Sequence, residues 1–245
     1  VMGFHSFMQK NMIPIESVMA KVWNKKLFQF IDKEVNDASK KLAEERGPCP
    51  DAAEYGINER FSNKTAIAPT ASISIICGGA SPGIEPIAAN SYTHKTLSGS
   101  FNVRNKYLRK ILQKYNQDTN EIWSSITTNQ GSVDHLDFLS QDEKDVFKTA
   151  FEIDQRWLID HSADRTPYIS QAQSLNVFIP ADIHKKELHQ IHYQAWKKGL
   201  KSLYYCRSKS IQRAEVVNNS FAKTKKQKNQ EKQQTTDYEE CLSCQ

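Results

Sequence analysis

Apolar side chains recur at three- and four-residue steps near the start of the chain, between residues 26 and 45. These positions are Phe28, Ile31, Val35, Ala38 and Leu42. At about 3.6 residues per turn, this spacing places them on one face of a helix. Gly47 followed by Pro48 is typical of a helix end. We therefore predict a helix over 26–45 whose apolar stripe belongs to the core and carries no chemistry.

Two later segments also have helical patterns. Ser140 and Glu143 have the spacing of a capping box, so a helix should begin there. Its predicted buried face is Val146, Phe147, Ala150, Ile153, Trp157 and Leu158. Asp182 and Gly199 have the residue types that start and stop a second helix. Its predicted inward side chains are Leu188, Ile191, Ala195 and Trp196.

Short strand-like runs alternate with these helices. Residues 66–68 are apolar and lead into a turn, residues 175–179 end at Pro180, and residues 202–206 are rich in tyrosine. Alternation of this kind is typical of an α/β domain with a largely parallel sheet. From residue 222 onward almost nothing is apolar, so we predict a disordered tail over 222–245.

Composition narrows the class of protein. A chain of 245 residues with 25% charged side chains and no long apolar run indicates a soluble protein rather than a membrane protein. Part of the net charge of +5 comes from the Lys-rich residues 223–228, which suits either a solvated tail or a nucleic-acid-binding module. We favour the solvated tail and expect neither nucleic acid nor membrane as a partner. The opening on Val1, with no secretory pattern, favours a processed piece or a fragment.

Five cysteines, an odd number, argue against a disulfide framework. Cys241 and Cys244 form the only close pair, which favours a reducing compartment, and we read the chain as cytoplasmic. Such a pair suits reversible disulfide exchange on a mobile arm. It also suits half of a zinc site, with ligands among His184, His189 and His192, or an incidental pair. From these residues alone the alternatives stay open.

Two further features have alternative interpretations. The junction over residues 69–74 offers hydroxyl side chains and backbone amides that suit a diphosphate, but a capped helix with nothing bound has the same pattern. Tyr204 and Tyr205 on one strand would ordinarily have one ring buried and one exposed. A redox role for this pair needs independent support.

That support comes from seven short motifs that occur in a fixed order. They are Ala68-Pro69-Thr70-Ala71-Ser72, Gly83-Ile84-Glu85-Pro86, Leu97-Ser98-Gly99-Ser100-Phe101, Gln171-Ala172-Gln173-Ser174-Leu175-Asn176, Ala195-Trp196-Lys197-Lys198-Gly199-Leu200-Lys201, Tyr204-Tyr205 and Glu240-Cys241-Leu242-Ser243-Cys244. Together they resemble the C-terminal third of the large subunit of class I ribonucleoside-diphosphate reductases.

The resemblance implies a fold and several roles. The fold would be the C-terminal part of a ten-stranded α/β barrel over residues 1–221, followed by a flexible redox tail over 222–245. Tyr204 and Tyr205 would transfer a radical, and Cys241 and Cys244 would form a redox-active dithiol. The substrate diphosphate would be bound by Thr70, Ala71, Ser72, Ile73 and Ser74.

The resemblance also implies partners. They would be a ribonucleoside diphosphate substrate, a radical-generating di-iron small subunit, and thioredoxin or glutaredoxin. No metal or cofactor is expected on this chain itself. The family's Asn-x-Cys-x-Glu pattern, which carries the thiyl cysteine, is absent here. Cys49, Cys77 and Cys206 match none of the family's active-site cysteines, and we expect Cys206 to be a packed thiol. We therefore expect the chain to need the remaining N-terminal portion of a large subunit for activity.

Overall fold

The computed structural model describes the backbone of residues 1–96 and 99–208, and their side chains outside 94–99. The helices are α1 (Phe4–Lys10), α2 (Val18–Arg46), α3 (Pro50–Glu54), α4 (Ala71–Ile76), α5 (Lys106–Lys114), α6 (Asn120–Thr128), α7 (Gln141–Val146), α8 (Gln155–Arg165) and α9 (Lys185–Lys197). The strands are β1 (Ser91–Thr96), β2 (Gly99–Arg104), β3 (Val177–Ile179) and β4 (Cys206–Ser208). A single 3₁₀ turn, Thr166–Tyr168, follows α8. Within these described ranges, no helix combines the length and the apolar character that a membrane span requires.

The predicted first helix is confirmed as α2, but it starts earlier than expected. Ser17 caps it, because the Ser17 hydroxyl oxygen accepts a hydrogen bond from the Ala20 amide at 3.1 Å. The predicted apolar stripe is only partly right: Phe28 is buried, whereas Ala38 is exposed. The buried face instead includes Asn24, whose side-chain amide donates to the carbonyl of His161 at 2.8 Å.

The single helix predicted after Ser140 is wrong in length. The capping box of Ser140 and Glu143 is confirmed, but α7 ends at Val146 and α8 begins at Gln155. Between them the Ala150 amide donates to the carbonyl of Ile87 at 2.8 Å, a long-range bond that a continuous helix would not allow. Asp154 then caps α8 by accepting from the Arg156 amide at 2.9 Å.

Helix α9 begins and packs differently from the prediction. His184, not Asp182, is the capping residue. Ile191 is buried as expected, but the Trp196 side chain is 73% exposed, so its predicted inward position is wrong. Gly199 has a φ of 75° directly after the last helical turn, which confirms it as the stop signal.

Parallel pairing is confirmed around residues 171–179. Val177 pairs with Cys206 in the parallel ladder of β3 and β4, and Ile67 pairs in parallel with Gln173. The predicted strand over 202–206 thus begins only at Cys206, and the predicted strand over 175–179 is confirmed from Val177. In addition, β1 and β2 form an antiparallel hairpin that the sequence pattern did not indicate.

The central ribbon, defined here as residues 171–179, lies between two neighbouring segments. The Ser174 amide bonds to the carbonyl of Ile67 at 2.9 Å, and the Val177 amide bonds to the carbonyl of Tyr205 at 2.9 Å. Residues 65–67 therefore bond to the N-terminal half of the central ribbon, and residues 204–208 bond to its C-terminal half.

Two clusters of buried side chains form the core. The larger one packs α1, α2, α8 and α9 against the central ribbon, with Phe28, Ile159 and Leu175 among its most buried members. The smaller one joins α5, α6 and α7 through Leu112, Trp123 and Phe147. The larger cluster holds the central ribbon in place, and the ribbon positions the groups described next.

Candidate functional site

The tyrosine pair lies at the edge of the central ribbon just before β4. The ring centroids of Tyr204 and Tyr205 are 4.2 Å apart with an angle of 54° between their planes, and both side chains are 44% exposed. The expectation of one buried and one exposed ring is therefore wrong. The two rings touch because residues 204 and 205 precede the strand instead of alternating within it.

The backbone of the pair is fixed at three points. The Tyr204 amide donates to the carbonyl of Leu175 at 2.8 Å, and the Tyr205 carbonyl accepts from the amide of Val177. Between these bonds, the Tyr205 amide donates to the side-chain oxygen Oδ1 of Asn176 at 3.1 Å. The rings are thus exposed on a backbone that is itself tightly held.

The predicted phosphate-binding turn is a left-handed residue followed by a short helix. Thr70 has φ 52° and ψ 31°, and its hydroxyl oxygen accepts from the amide of Gly83 at 2.8 Å instead of capping α4. Ser74 is buried, and its hydroxyl donates to the carbonyl of Ala71 at 2.6 Å. Of the three predicted hydroxyl groups, those of Thr70 and Ser74 are thus engaged within the chain, while Ser72 is exposed. The amides of Ala71, Ser72 and Ile73 precede the first intrahelical bond of α4, which runs from the Ser74 amide to the carbonyl of Thr70.

Hydrogen bonds connect the turn with the tyrosine pair. The Thr70 hydroxyl accepts from the Gly83 amide, Glu85 accepts from Asn176, and Asn176 accepts from the Tyr205 amide. The two features are thus linked through residues 83–85 and one side chain of the central ribbon.

Glu85 is a buried carboxylate behind Asn176. Its two oxygens accept from the backbone amide of Asn176 at 2.7 Å and from the side-chain amide nitrogen of Asn176 at 3.0 Å. Burial raises the pKa of the Glu85 carboxyl, while the Asn176 hydrogen bonds and the positive charges of Arg207 and Arg165 oppose that rise. The Glu85 carboxyl is therefore held by hydrogen bonds to the central ribbon and not by a single salt-bridge partner.

Arg165 lies fully buried beneath the same ribbon. Its Nε atom donates to Gln173 Oε1 at 2.5 Å, and its guanidinium lies 5.8 Å from the centroid of the Phe28 ring. Burial lowers the pKa of Arg165 to about 9, and the charges of Asp164 and Glu85 oppose that change. Gln173 thus anchors the central ribbon to Arg165 on α8, and Asn176 anchors it to Glu85.

The cysteines divide into described and undescribed ones. Cys241 and Cys244 lie outside the described residues, as do the predicted disordered tail and the end of the predicted domain at 221. Cys206 is exposed, with its sulfur 3.9 Å from Nε2 of His192, so the expectation of a packed thiol is wrong. Among residues 1–96 and 99–208, no group of three His, Cys, Asp or Glu side chains is placed to hold a metal ion.

Comparison with known proteins decides the family. The family model described as ribonucleotide reductase, barrel domain, matches residues 51–206, which include the turn and the tyrosine pair. The chain belongs to the ribonucleotide reductase barrel-domain family. The resemblance drawn from the seven motifs is thereby confirmed, together with its fold class.

Individual relatives agree with this assignment. The chain is 48% identical over 224 residues to the ribonucleoside-diphosphate reductase large subunit of Invertebrate iridescent virus 6, covering 90% of this chain and 23% of that protein. It is 33% identical to the large chain of Cryptosporidium parvum over 235 residues, covering 82% and 29% respectively. Its structure matches the class Id ribonucleotide reductase alpha subunit of Actinobacillus ureae with a TM-score of 0.80 at 37% identity, covering 89% of this chain and 39% of that one. The chain therefore spans between 23% and 39% of the length of these ribonucleotide reductase proteins.

Sequence reasoning named the motifs that contain Glu85 and Asn176 but assigned these two residues no role. One signal was present: each is a polar residue within an apolar run, Glu85 beside Ile84 and Pro86, and Asn176 between Leu175 and Val177. Polar side chains in such positions are usually buried with a partner. The identity of the partner depends on a contact across 91 residues of sequence, which no local pattern specifies.

Proposed function

We propose that this chain is a component of a ribonucleoside-diphosphate reductase, in which it carries a radical through Tyr204 and Tyr205 and binds the substrate diphosphate at residues 70–74. The observation that carries the proposal is the contact between the two tyrosine rings, 4.2 Å apart, on a backbone held by the central ribbon. Both rings are exposed, so core packing does not account for their contact, whereas transfer of a radical between them would.

Radical transfer between the two phenols balances without another reagent. One tyrosyl radical gains an electron and a proton and becomes a phenol, while the other phenol loses an electron and a proton and becomes the radical. Ring contact suits this exchange because electron and proton both move over a short distance between preoriented groups. The radical would come from a di-iron small subunit and would pass on to a cysteine outside this chain.

The turn at 70–74 supports diphosphate binding through backbone groups more than through hydroxyl groups. The side chains of Thr70 and Ser74 are hydrogen-bonded within the chain, which leaves the amides of Ala71, Ser72 and Ile73 and the exposed Ser72 hydroxyl for the substrate. Consecutive amides at a helix start are a common anion-binding arrangement.

The tail completes the proposed reaction cycle. Cys241 and Cys244 would give two hydrogens to a disulfide formed during ribonucleotide reduction, and would themselves become a disulfide. Thioredoxin or glutaredoxin would then reduce that disulfide by the same exchange. The described cysteines Cys49, Cys77 and Cys206 are free thiols, which fits our placement of this chemistry in the cytoplasm.

The proposed activity needs further polypeptide. The chain spans less than two fifths of the large subunits it matches, and its sequence lacks an Asn-x-Cys-x-Glu pattern. We therefore infer that it works together with the N-terminal portion of a large subunit and with a small subunit, and that it holds no cofactor of its own.

Replacing Tyr204 or Tyr205 with Phe tests the proposal, because Phe keeps the ring and removes the O–H that the radical step requires. In the complete reductase with CDP as substrate, either change should lower kcat by at least about 1,000-fold, a barrier increase of about 4 kcal/mol. The KM for CDP should stay within about twofold, since neither phenol holds the diphosphate.

The matched control is Tyr193→Phe, a change at an exposed tyrosine on α9 whose ring stacks on His189 and lies tilted against Trp196. It should leave kcat unchanged. Full turnover by Tyr205→Phe would contradict the assignment of the pair.

A further inference from the structure

The carboxylate of Glu85 fixes which way the side-chain amide of Asn176 faces. Both oxygens of Glu85 accept hydrogen bonds from Asn176, so the NH₂ group of Asn176 points toward the carboxyl. That NH₂ donates to Glu85 at 3.0 Å, and the backbone amide of Asn176 donates to the other oxygen at 2.7 Å. The opposite end of the amide, Oδ1, is thereby left facing the Tyr205 amide.

The Tyr205 amide uses that oxygen as its acceptor, at 3.1 Å. Were the Asn176 amide reversed, an NH₂ group would face another N–H donor, and the bond to Tyr205 would be lost. Glu85 therefore affects the backbone of Tyr205 indirectly, because it sets the orientation of the Asn176 side chain. The chain of contacts runs from Glu85 through Asn176 to Tyr205.

The same short segment also touches the turn at 70–74. Two residues before Glu85, the Gly83 amide donates to the Thr70 hydroxyl at 2.8 Å. A Cβ on Gly83 would lie 3.0 Å from the carbonyl oxygen of Ala68 and 3.2 Å from that of Pro69, so Gly83 packs directly on the backbone that leads into the turn. Residues 83–85 thus contact the turn at one end and the central ribbon at the other.

We propose that Glu85 and Asn176 are positioning residues that hold the tyrosine pair in a fixed place relative to the turn at 70–74. This inference rests on the proposed function of the pair. Neither side chain is a catalytic residue in this account, because both act through the Tyr205 backbone.

A purely structural role for the two residues is less consistent with the backbone contacts. The bonds of Tyr204 to Leu175 and of Tyr205 to Val177 join the ribbon to the pair without any Asn176 side-chain atom. The Asn176 side chain adds one further bond at the residue that carries the second ring. Its loss should therefore displace the rings while the strand pairing survives.

Exchanging the two functional groups provides a direct test. In Glu85→Gln, an NH₂ group faces the NH₂ of Asn176, so one bond to Asn176 or the bond to Tyr205 must break. In Asn176→Asp, two carboxylates face each other. In the double variant Glu85→Gln/Asn176→Asp, the Gln NH₂ donates to Asp, the Gln oxygen accepts from the backbone amide at 176, and the second Asp oxygen accepts from Tyr205. All three hydrogen bonds are restored and one negative charge is kept.

The assay measures kcat and KM of the complete reductase, again with CDP. Each single variant should lower kcat by about 10- to 100-fold, the loss expected when a reacting group is displaced by about 1 Å. The KM for CDP should stay within about twofold, and the double variant should recover kcat to within about threefold of the wild type. Circular dichroism on the same samples shows whether each variant is folded. If a single variant does not fold, the kcat of the double variant alone tests the proposal.

Three results would overturn the proposal. One is an unchanged kcat in a folded Glu85→Gln variant. Another is a double variant whose kcat is no higher than that of the less active single variant. A parallel fall in kcat and rise in KM would also overturn it, since general loosening of the site would then explain the data. Tyr205→Phe in the same assay separates this inference from the proposed function. If Tyr205→Phe is inactive but Glu85→Gln is fully active, the positioning role alone fails; if Tyr205→Phe is active, the radical path fails with it.

Discussion

At the scale of single residues, the chain buries several ionisable groups away from the tyrosine pair. His5, on α1, is 1% exposed, and its Nδ1 atom accepts from the amide of Ile87 at 3.0 Å. That bond requires an unprotonated Nδ1. Burial lowers the pKa of His5 to about 3, and burial likewise lowers the pKa of His161 to about 4. Both histidines are therefore neutral in the folded chain at pH 7.

This burial predicts an acid-sensitive stability. The folded-state pKa of His5, about 3, lies below the ordinary value of 6.5, so the unfolded chain binds the proton first. The contribution of His5 to stability is complete above pH 6.5 and falls as the pH drops from 6.5 toward 3. In His5→Asn, where Oδ1 can replace Nδ1 as acceptor, the free energy of unfolding should depend less on pH below 6, by up to about 1.4 kcal/mol per pH unit.

Urea unfolding of the chain at pH 4.5, 5.5 and 7 measures this difference. The control is His189→Asn, the same exchange at an exposed position on α9. Identical slopes for His5→Asn and the wild type would show that His5 is protonated without cost in the folded chain.

At the scale of elements, Gly131 is where the segment before β1 packs against the end of α6. The carbonyl of Gly131 accepts from both the backbone amide and the side-chain amide of Asn90, at 3.1 and 3.0 Å. A Cβ at this position would lie 2.5 Å from Cα of Ala89 and 2.9 Å from the amide nitrogen of Asn90. Because these are backbone atoms, a side chain here would push the segment before β1 away from α6.

Gly131→Ala should therefore destabilise the chain well beyond the cost of its backbone angle. Gly199→Ala is a matched control, since Gly131 and Gly199 have φ values of 84° and 75° and a Cβ at Gly199 meets nothing within 4 Å. Gly199→Ala should cost about 1–2 kcal/mol through the left-handed conformation alone. Gly131→Ala should cost about 1–3 kcal/mol more, from overpacking. Equal unfolding free energies of the two variants would contradict the close approach at Gly131.

Elements whose signals are local were predictable from sequence. The Ser140 and Glu143 capping box, the stop at Gly199 and the strand before Pro180 each depend on residues within a few positions of one another. The break between α7 and α8 was not predictable, because it depends on the bond from Ala150 to the distant Ile87. The outward position of Trp196 likewise depends on which residues of α9 meet the rest of the fold.

The candidate site was likewise only partly predictable from the sequence. The turn at 70–74 and the tyrosine pair were found as short motifs, and the family resemblance supplied their proposed roles. Their connection through Asn176 depends on contacts between segments distant in sequence, such as the pairing of Ile67 with Gln173 and the bond from the Tyr205 amide to Asn176. The Glu85 contact behind them follows from the same long-range packing, so sequence motifs gave the parts of the site but not how they are connected.

At the scale of the whole molecule, the structure describes part of a larger proposed assembly. The described ranges hold the turn and the tyrosine pair but no cysteine that matches the family's active-site cysteines. On the proposed path, the radical would therefore enter the pair from one protein and leave it toward another segment of polypeptide. A test of the central claim has to be made in the complete reductase, with the small subunit and the remainder of the large subunit present.

The most direct measurement is electron paramagnetic resonance on the complete reductase with 3-aminotyrosine in place of Tyr205. This analogue is oxidised more easily than tyrosine, so a radical that passes through position 205 should accumulate there. We expect an aminotyrosyl radical signal that appears after CDP is added and only when the small subunit is present. The same replacement at Tyr193, on the exposed face of α9, should give no such signal. Absence of the signal at position 205 in an otherwise assembled, substrate-bound reductase would contradict the radical path proposed for this chain.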